Sequence, residues 1–169
     1  MIVTHTVRMV SKSWAANFLG LKRGEDCPMC DERTETTPHG HRFMAGRVSD
    51  AYLGRHPIRP GYAYVIWRGR HVAEPTELDP AEASDFWAEV ATAARAIETR
   101  YQPIKMNWLS LGNGVPHLHV HLVPRHADDP AAGGPLESDA FEFASIAPLS
   151  DQTLTAETVE LARLVTAHG

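Results

Sequence analysis

The chain has 169 residues, 43% of them hydrophobic and 22% charged, which suits a single domain with a sizeable core and excludes the low-hydrophobicity signature of disorder. A net charge of -5 creates no overall field toward nucleic acid or an anionic membrane, so neither is an expected partner and any phosphate must be held by a local site. Apolar runs are short, and Met1-Ile2-Val3-Thr4-His5 lacks the charged-then-apolar order of a secretory signal, so the expected address is cytoplasmic.

Val10, Trp14, Phe18 and Leu21 recur at helical intervals, predicting a short amphipathic helix over residues 10–21. Cys27-Pro28-Met29-Cys30 follows, and with no secretory signal this spacing argues for metal binding or redox chemistry over a structural disulfide. Alternating polarity within Arg42–Leu53 and the β-rich run Tyr62–Trp67, bounded by Pro60-Gly61 and Gly69, predict strands.

Asp79-Pro80-Ala81-Glu82 reads as a helix start, with Asp79 as cap, Pro80 in the first helical position and Glu82 completing a capping box. The helix should run to about Tyr101 and bury Phe86, Val90, Ala93, Ile97 and Tyr101, with Trp87 and Ala94 on the flank. Lys105–Leu111 and His117–Pro124 predict a hairpin around Gly112-Asn113-Gly114-Val115-Pro116. Residues 127–139 have loop composition, and a last helix is expected over Thr155–Ala167. Hairpins interrupted by one long helix imply an α+β fold, an antiparallel sheet covered on one face.

In His117-Leu118-His119-Val120-His121-Leu122-Val123 apolar residues alternate with histidines. A strand sends alternate side chains to opposite faces, so the three imidazoles share one face at a spacing of about 6.6 Å while Leu118, Val120 and Leu122 face a core. Neutral imidazole can act as nucleophile, acid, base or ligand near neutral pH. A metal site using all three as ligands is the alternative, and it would need help from other elements.

The stretch from Leu111 to Arg125 resembles the signature of the histidine-triad (HIT) family, in particular its bacterial diadenosine tetraphosphate hydrolase-like branch. The similarity extends from about Cys27 to Pro135, through Pro60-Gly61-Tyr62, Arg70-His71-Val72 and Leu78-Asp79-Pro80. The resemblance implies a HIT-like antiparallel sheet with one long helix packed on it, residues 1–26 and 136–169 being helical extensions of a single domain. It also implies that His119 attacks the α-phosphorus of a nucleotide or nucleotide conjugate, forming a nucleotidyl-histidine that water resolves. His121 would bind the phosphate and assist proton transfer, and Asn113 with the backbone near Gly112 would contact it; Asn107 on the preceding strand is a weaker candidate, for which a structural role is the stronger reading. Family members are commonly homodimers, which is the expectation here.

The cysteine pair needs two further ligands for a tetrahedral zinc site. In bacterial family members these are a histidine after the central strand and the first triad histidine, which are His71 and His117 here; the zinc would be structural and closed. A local knuckle closed by His39 and His41, and a metal-free thiol pair, compete with that assignment.

Three positions depart from the family pattern. Tyr62 stands where better-studied branches carry histidine, Gly54 where an aspartate or asparagine usually holds the ribose hydroxyls, and residues 128–135 lack the tryptophans usual in that loop. If the pocket is an ordinary adenine-nucleotide site, Gly54→Asn should restore a ribose contact and strengthen AMP binding; if it is reshaped for another ligand, AMP binding should barely change. The competing functions are a nucleotide hydrolase or nucleotidyl transferase and a nucleotide-binding or interaction module with little turnover.

Overall fold

The computed structural model describes residues 13–31, 34–130, 132–137 and 139–168, the last without its side chain. Six strands, β1 (Thr36–Thr37), β2 (Gly40–Ala45), β3 (Ser49–Gly54), β4 (Ala63–Trp67), β5 (Lys105–Leu109) and β6 (His119–Arg125), form one sheet in the order β1-β2-β3-β4-β6-β5. Every neighbouring pair is antiparallel. Three helices accompany it, α1 (Phe18–Lys22), α2 (Pro80–Tyr101) and α3 (Asp151–His168).

The long helix begins as its sequence dictates. Asp79 Oδ1 accepts from the backbone amides of Ala81 and Glu82, each at 2.8 Å, while the Glu82 carboxylate accepts from Asp79 N–H at 2.9 Å. These bonds satisfy donors that a helix start leaves orphaned. The buried stripe is Phe86, Val90, Ala93, Ala94, Ala96 and Ile97, with Tyr101 half-buried and Trp87 turned outward. Tyr101 keeps its hydroxyl at the rim and donates it to Glu157 of α3 at 2.8 Å.

This stripe packs on the face of the sheet that carries Ala51, Leu53, Val65, Trp67, Val120 and Leu122, and α3 adds Leu154 and Leu161 to the same core. Period-2 strands and a period-3.6 helix thus pool their apolar faces, and the opposite face of the sheet is left for a smaller cluster around Ile58, Tyr62 and Val123 and for polar residues.

Several boundaries differ from expectation. Of the helix expected over residues 10–21, positions 10–12 lie outside the described residues; among those described it spans Phe18–Lys22, with Trp14 64% exposed, and an exposed apolar residue contributes no burial to extend it. The Arg42–Leu53 region is two strands joined by a turn in which Gly46 N–H bonds Ser49 O at 2.8 Å. The second strand of the predicted hairpin starts at His119, leaving His117 in the approach to it, and α3 starts at Asp151. Among the described residues no helix is long and apolar enough to cross a membrane.

Candidate active site

β6 lies between β4 and β5, with His119 opposite Ile66 and His121 opposite Tyr64 and Leu109. Leu118, Val120 and Leu122 enter the helix-side core, so the histidines of the alternating run stand on the other face.

Carbonyl contacts determine where the protons sit. A carbonyl oxygen can only accept, so His119 Nδ1, 2.6 Å from His117 O, carries the hydrogen and Nε2 keeps a lone pair. That lone pair lies 3.2 Å from His121 Nε2, which must supply the N–H between them. His121 Nδ1 is then bare, and the Tyr62 hydroxyl, 2.8 Å away, donates to it. One chain of donors therefore runs from Tyr62 through His121 to His119 and ends on the backbone of His117. Burial lowers the pKa of His119; burial and then the neighbouring His119 lower that of His121 to about 3. Both rings are neutral at physiological pH.

The same reasoning applies to the other two histidines. His117 Nε2–H donates to Trp67 O at 3.0 Å and His71 Nε2–H to Lys22 O at 3.1 Å, which leaves both Nδ1 atoms bare. His117 Nδ1 is 3.6 Å from Cys27 Sγ and 3.5 Å from Cys30 Sγ, and His71 Nδ1 is 3.2 Å from Cys30 Sγ. All four donor atoms lie within 4.8 Å of one another, an arrangement compatible with a metal site. Two local features assemble it. Cys30 N–H bonds Cys27 O at 3.0 Å, closing a turn that brings both sulfurs to the cluster, and Gly24, at φ +87°, passes so close to the His71 ring that a Cβ would meet Cγ at 3.0 Å. His41 instead lies beside Arg55 and Asp151, and His39 is exposed in the β1–β2 turn; neither belongs to the cluster.

Gly54 and Tyr62 turn out to be one feature. A Cβ at Gly54 would fall 2.5 Å from Tyr62 Cδ1 and 2.7 Å from Cε1. The space that an asparagine side chain would enter is filled by the Tyr62 ring, the geometry of the reshaped pocket rather than of a vacant ribose site.

Residues 136–137 and 139–149 close over the same side of the sheet. Phe141 meets His121 edge-on at 4.9 Å between ring centroids, and Phe143 lies 5.9 Å from Tyr62. The segment is tied down by Arg59, which pairs with Asp129 and Glu137, by His56 Nδ1–H donating to Ile146 O at 2.8 Å, and by Leu149 N–H bonding Arg55 O at 2.8 Å. On the open side, a cleft of about 420 Å3 is lined by Met29, Cys30, Arg42, Asp50, Arg68 and His117 among others.

Asn113 is exposed on the loop between β5 and β6, and Gly112 bends that loop with φ +66°. Asn107 on β5 accepts from Arg125 Nη1 at 2.8 Å through Oδ1. Sequence reasoning assigned no role to Phe141 or Phe143, for which nothing in the sequence signals proximity to the triad. Tyr62 did carry a signal, since its departure from the family pattern stands eight residues from the complementary departure at Gly54.

Residues 43–128 match the family model described as the HIT domain. The chain belongs to the HIT domain family. It is 32% identical over 92 residues to the asymmetrical bis(5'-nucleosyl)-tetraphosphatase of Schizosaccharomyces pombe, a match covering 52% of this chain and 50% of that protein. It is 26% identical over 89 residues to a bis(5'-adenosyl)-triphosphatase of Saccharomyces cerevisiae, covering 50% and 43%. The chain thus spans about half the length of the curated relatives it matches. Its fold is shared with a histidine triad protein of Bradyrhizobium japonicum, TM-score 0.67 and 20% identity over 82% of this chain and 99% of that one. A histidine triad protein of Marinobacter aquaeolei superposes with a TM-score of 0.64 at 22% identity, covering 78% and 92%.

The buried neutral state of His121 has a thermodynamic consequence. With a folded pKa of about 3 against an unfolded value near 6.5, the unfolded chain binds more protons between these limits. Its contribution to stability is therefore complete above about pH 6.5 and is lost as pH falls toward the folded value. Thermal unfolding followed from pH 7.5 to 4.5 should show a steeper acid decline in the wild type than in His121→Gln; parallel declines would contradict the buried neutral state.

Proposed function

We propose that this chain is a nucleotide hydrolase or nucleotidyl transferase that works through a nucleotidyl-His119 intermediate on dinucleoside polyphosphates or nucleotide conjugates. The observation that carries the reading is the bare Nε2 of His119, with Nδ1–H bonded to a backbone carbonyl at 2.6 Å and the His121 N–H 3.2 Å away. The names of the curated relatives give the substrate class.

In the first step His119 Nε2 forms a bond to the α-phosphorus, and the bond from phosphorus to the bridging oxygen breaks, its electron pair leaving with the departing group. The imidazole becomes cationic, and the His117 carbonyl stabilises that charge through Nδ1–H. His121 Nε2–H turns from His119 to a non-bridging oxygen, and Asn113 with the backbone near Gly112 adds donors for the charge developing there. Asn107 is the more distant contributor. Water then attacks phosphorus, the electron pair of the P–N bond returns to Nε2, a proton passes to solvent and the nucleotide is released.

His119→Ala should abolish turnover with an unchanged circular dichroism spectrum, because the apolar side of β6 is untouched. Intact-mass analysis of the wild type, mixed with a panel of nucleotide conjugates and quenched rapidly, should show one nucleotidyl adduct that the variant lacks. Persistent turnover in the variant would rule out covalent catalysis at this residue. A binding module with little turnover is the second reading, favoured by the Phe141 ring 4.9 Å from His121; saturable nucleotide binding with no adduct would establish it.

The ion suited to the cluster is zinc, in a closed structural role. Zinc–sulfur bonds near 2.3 Å and zinc–nitrogen bonds near 2.05 Å in a tetrahedron imply sulfur-to-nitrogen edges of about 3.5 Å, against 3.6, 3.5 and 3.2 Å for three such pairs here. Both histidines present Nδ1 because backbone carbonyls hold the opposite N–H, the outer-sphere support typical of metal-binding imidazole. When bound, the ion would fasten Cys27, Cys30 and His71 to His117 and so brace the start of β6. Elemental analysis of the purified protein should find about one zinc per chain, lost in His71→Ala and kept when His39 and His41 are both replaced by alanine. The reverse pattern would refute this ligand set.

A homodimer through β5 completes the proposal. β5 is an edge of the sheet, and Trp108 on it, 42% exposed, stacks at 6.5 Å on Trp87 of α2, 38% exposed. Uncovered edges carrying aromatic residues are association surfaces. Light scattering behind a sizing column should report a dimer for the wild type and a monomer for Trp108→Glu; a monomeric wild type at micromolar concentration would reject this.

A further inference from the structure

A neutral imidazole has two tautomers, and the site works in one of them. If His121 carried its proton on Nδ1, two bare Nε2 lone pairs would face each other at the 3.2 Å separation of His119 and His121, and both would repel a phosphate oxygen. The other tautomer is favoured from both sides, by the His119 lone pair at Nε2 and by an external donor at Nδ1. Among the described residues that donor is the Tyr62 hydroxyl, at 2.8 Å.

Tyr62 is 2% exposed and its ring is boxed in. It lies tilted against Tyr64 at 6.3 Å and Phe143 at 5.9 Å, and Gly54 forms a further wall, with Gly54 N–H bonding Tyr62 O at 2.9 Å. A side chain at position 54 would displace ring carbons from 2.5 Å and carry the hydroxyl away from His121. A phenol in this enclosure has a pKa raised by burial and by Tyr64, so the oxygen keeps the proton it donates.

We propose that Tyr62 is a positioning residue for the phosphorus chemistry: its O–H holds His121 in the Nε2–H tautomer, presenting a donor beside the nucleophile, and Gly54 is the vacancy that admits the ring. Tyr62 touches no reacting atom and acts through His121. This inference rests on the hydrolase reading above, but the tautomer it assigns is measurable without any substrate.

The test uses the full chain with 15N-labelled histidine. In the wild type, His121 should show a protonated Nε2 resonance and a hydrogen-bonded, unprotonated Nδ1 resonance at pH 7.5. Tyr62→Phe keeps the ring and the packing, so it should fold, yet both resonances should move toward the averaged position of exchanging tautomers. Gly54→Ala should give the same averaging, and the double variant should be no worse than either single one, because both remove the same hydrogen bond. On whichever substrate forms the adduct, Tyr62→Phe should lower kcat about tenfold while changing KM less than about twofold, the size expected for a lost orienting contact. An unmoved His121 spectrum in Tyr62→Phe overturns the proposal, as does a kcat within twofold of wild type. If no nucleotide conjugate is turned over, the hydrolase reading fails, and the spectra still decide whether Tyr62 sets the tautomer. If Gly54→Ala does not fold, Tyr62→Phe alone carries the decision.

Discussion

The hydrogen bond from His119 Nδ1–H to the His117 carbonyl, 2.6 Å long, is the contact on which the rest of the site depends. It decides which nitrogen of His119 is free and so places a lone pair 3.2 Å from His121 Nε2, where an N–H is called for; the Tyr62 hydroxyl meets His121 from its other nitrogen. The carbonyl can do this because His117 is itself immobilised. Its backbone N–H bonds Val115 O at 2.9 Å, its Nε2–H bonds Trp67 O at 3.0 Å, and its Nδ1 faces both cysteines. The cysteine and histidine cluster and the triad are therefore mechanically one unit, joined through a single residue. A disturbance of Cys27 or His71 reaches His119 through the backbone of His117, without any direct contact.

Burial supplies the second condition. The aromatic roof of Phe141 and Phe143 and the Tyr62 ring exclude water from one side of the triad, which keeps both imidazoles uncharged. An uncharged imidazole is the form that can attack phosphorus, and a donor in a water-poor setting interacts more strongly with an oxyanion than the same donor in water. The roof stands over Tyr62 and His121, and the cleft lies beside His117, Arg42 and Arg68. The triad is carried by β6 and the roof by residues 139–149, two separate elements of the chain.

Much of this was legible in the sequence, for reasons that are local. The alternation of histidine with Leu118, Val120 and Leu122 places the imidazoles on one face of any strand, because strand side chains alternate whatever they pack against. Asp79-Pro80-Ala81-Glu82 starts a helix through bonds within its own first turn. The cysteine pair close in sequence, with His71 and His117 as partners, came from the family pattern, and that pattern reflects the same topology.

What the tertiary structure alone decided depends on residues far apart in the chain meeting through space. Gly54 looked like a missing ribose ligand until the Tyr62 ring was seen to fill its place. His121 meets a hydroxyl 59 residues away at Nδ1, and the tautomers of His117 and His71 follow from the carbonyls of Trp67 and Lys22. Phe141 and Phe143 lie in a stretch with no periodicity, and their position over the triad comes from anchors at Arg55, His56 and Arg59 on another loop. Sequence patterns encode what a residue does within its own element. The direction of a proton, or the filling of a vacancy, is set by whichever atoms the fold brings within about 3 Å, and those atoms belong to other elements.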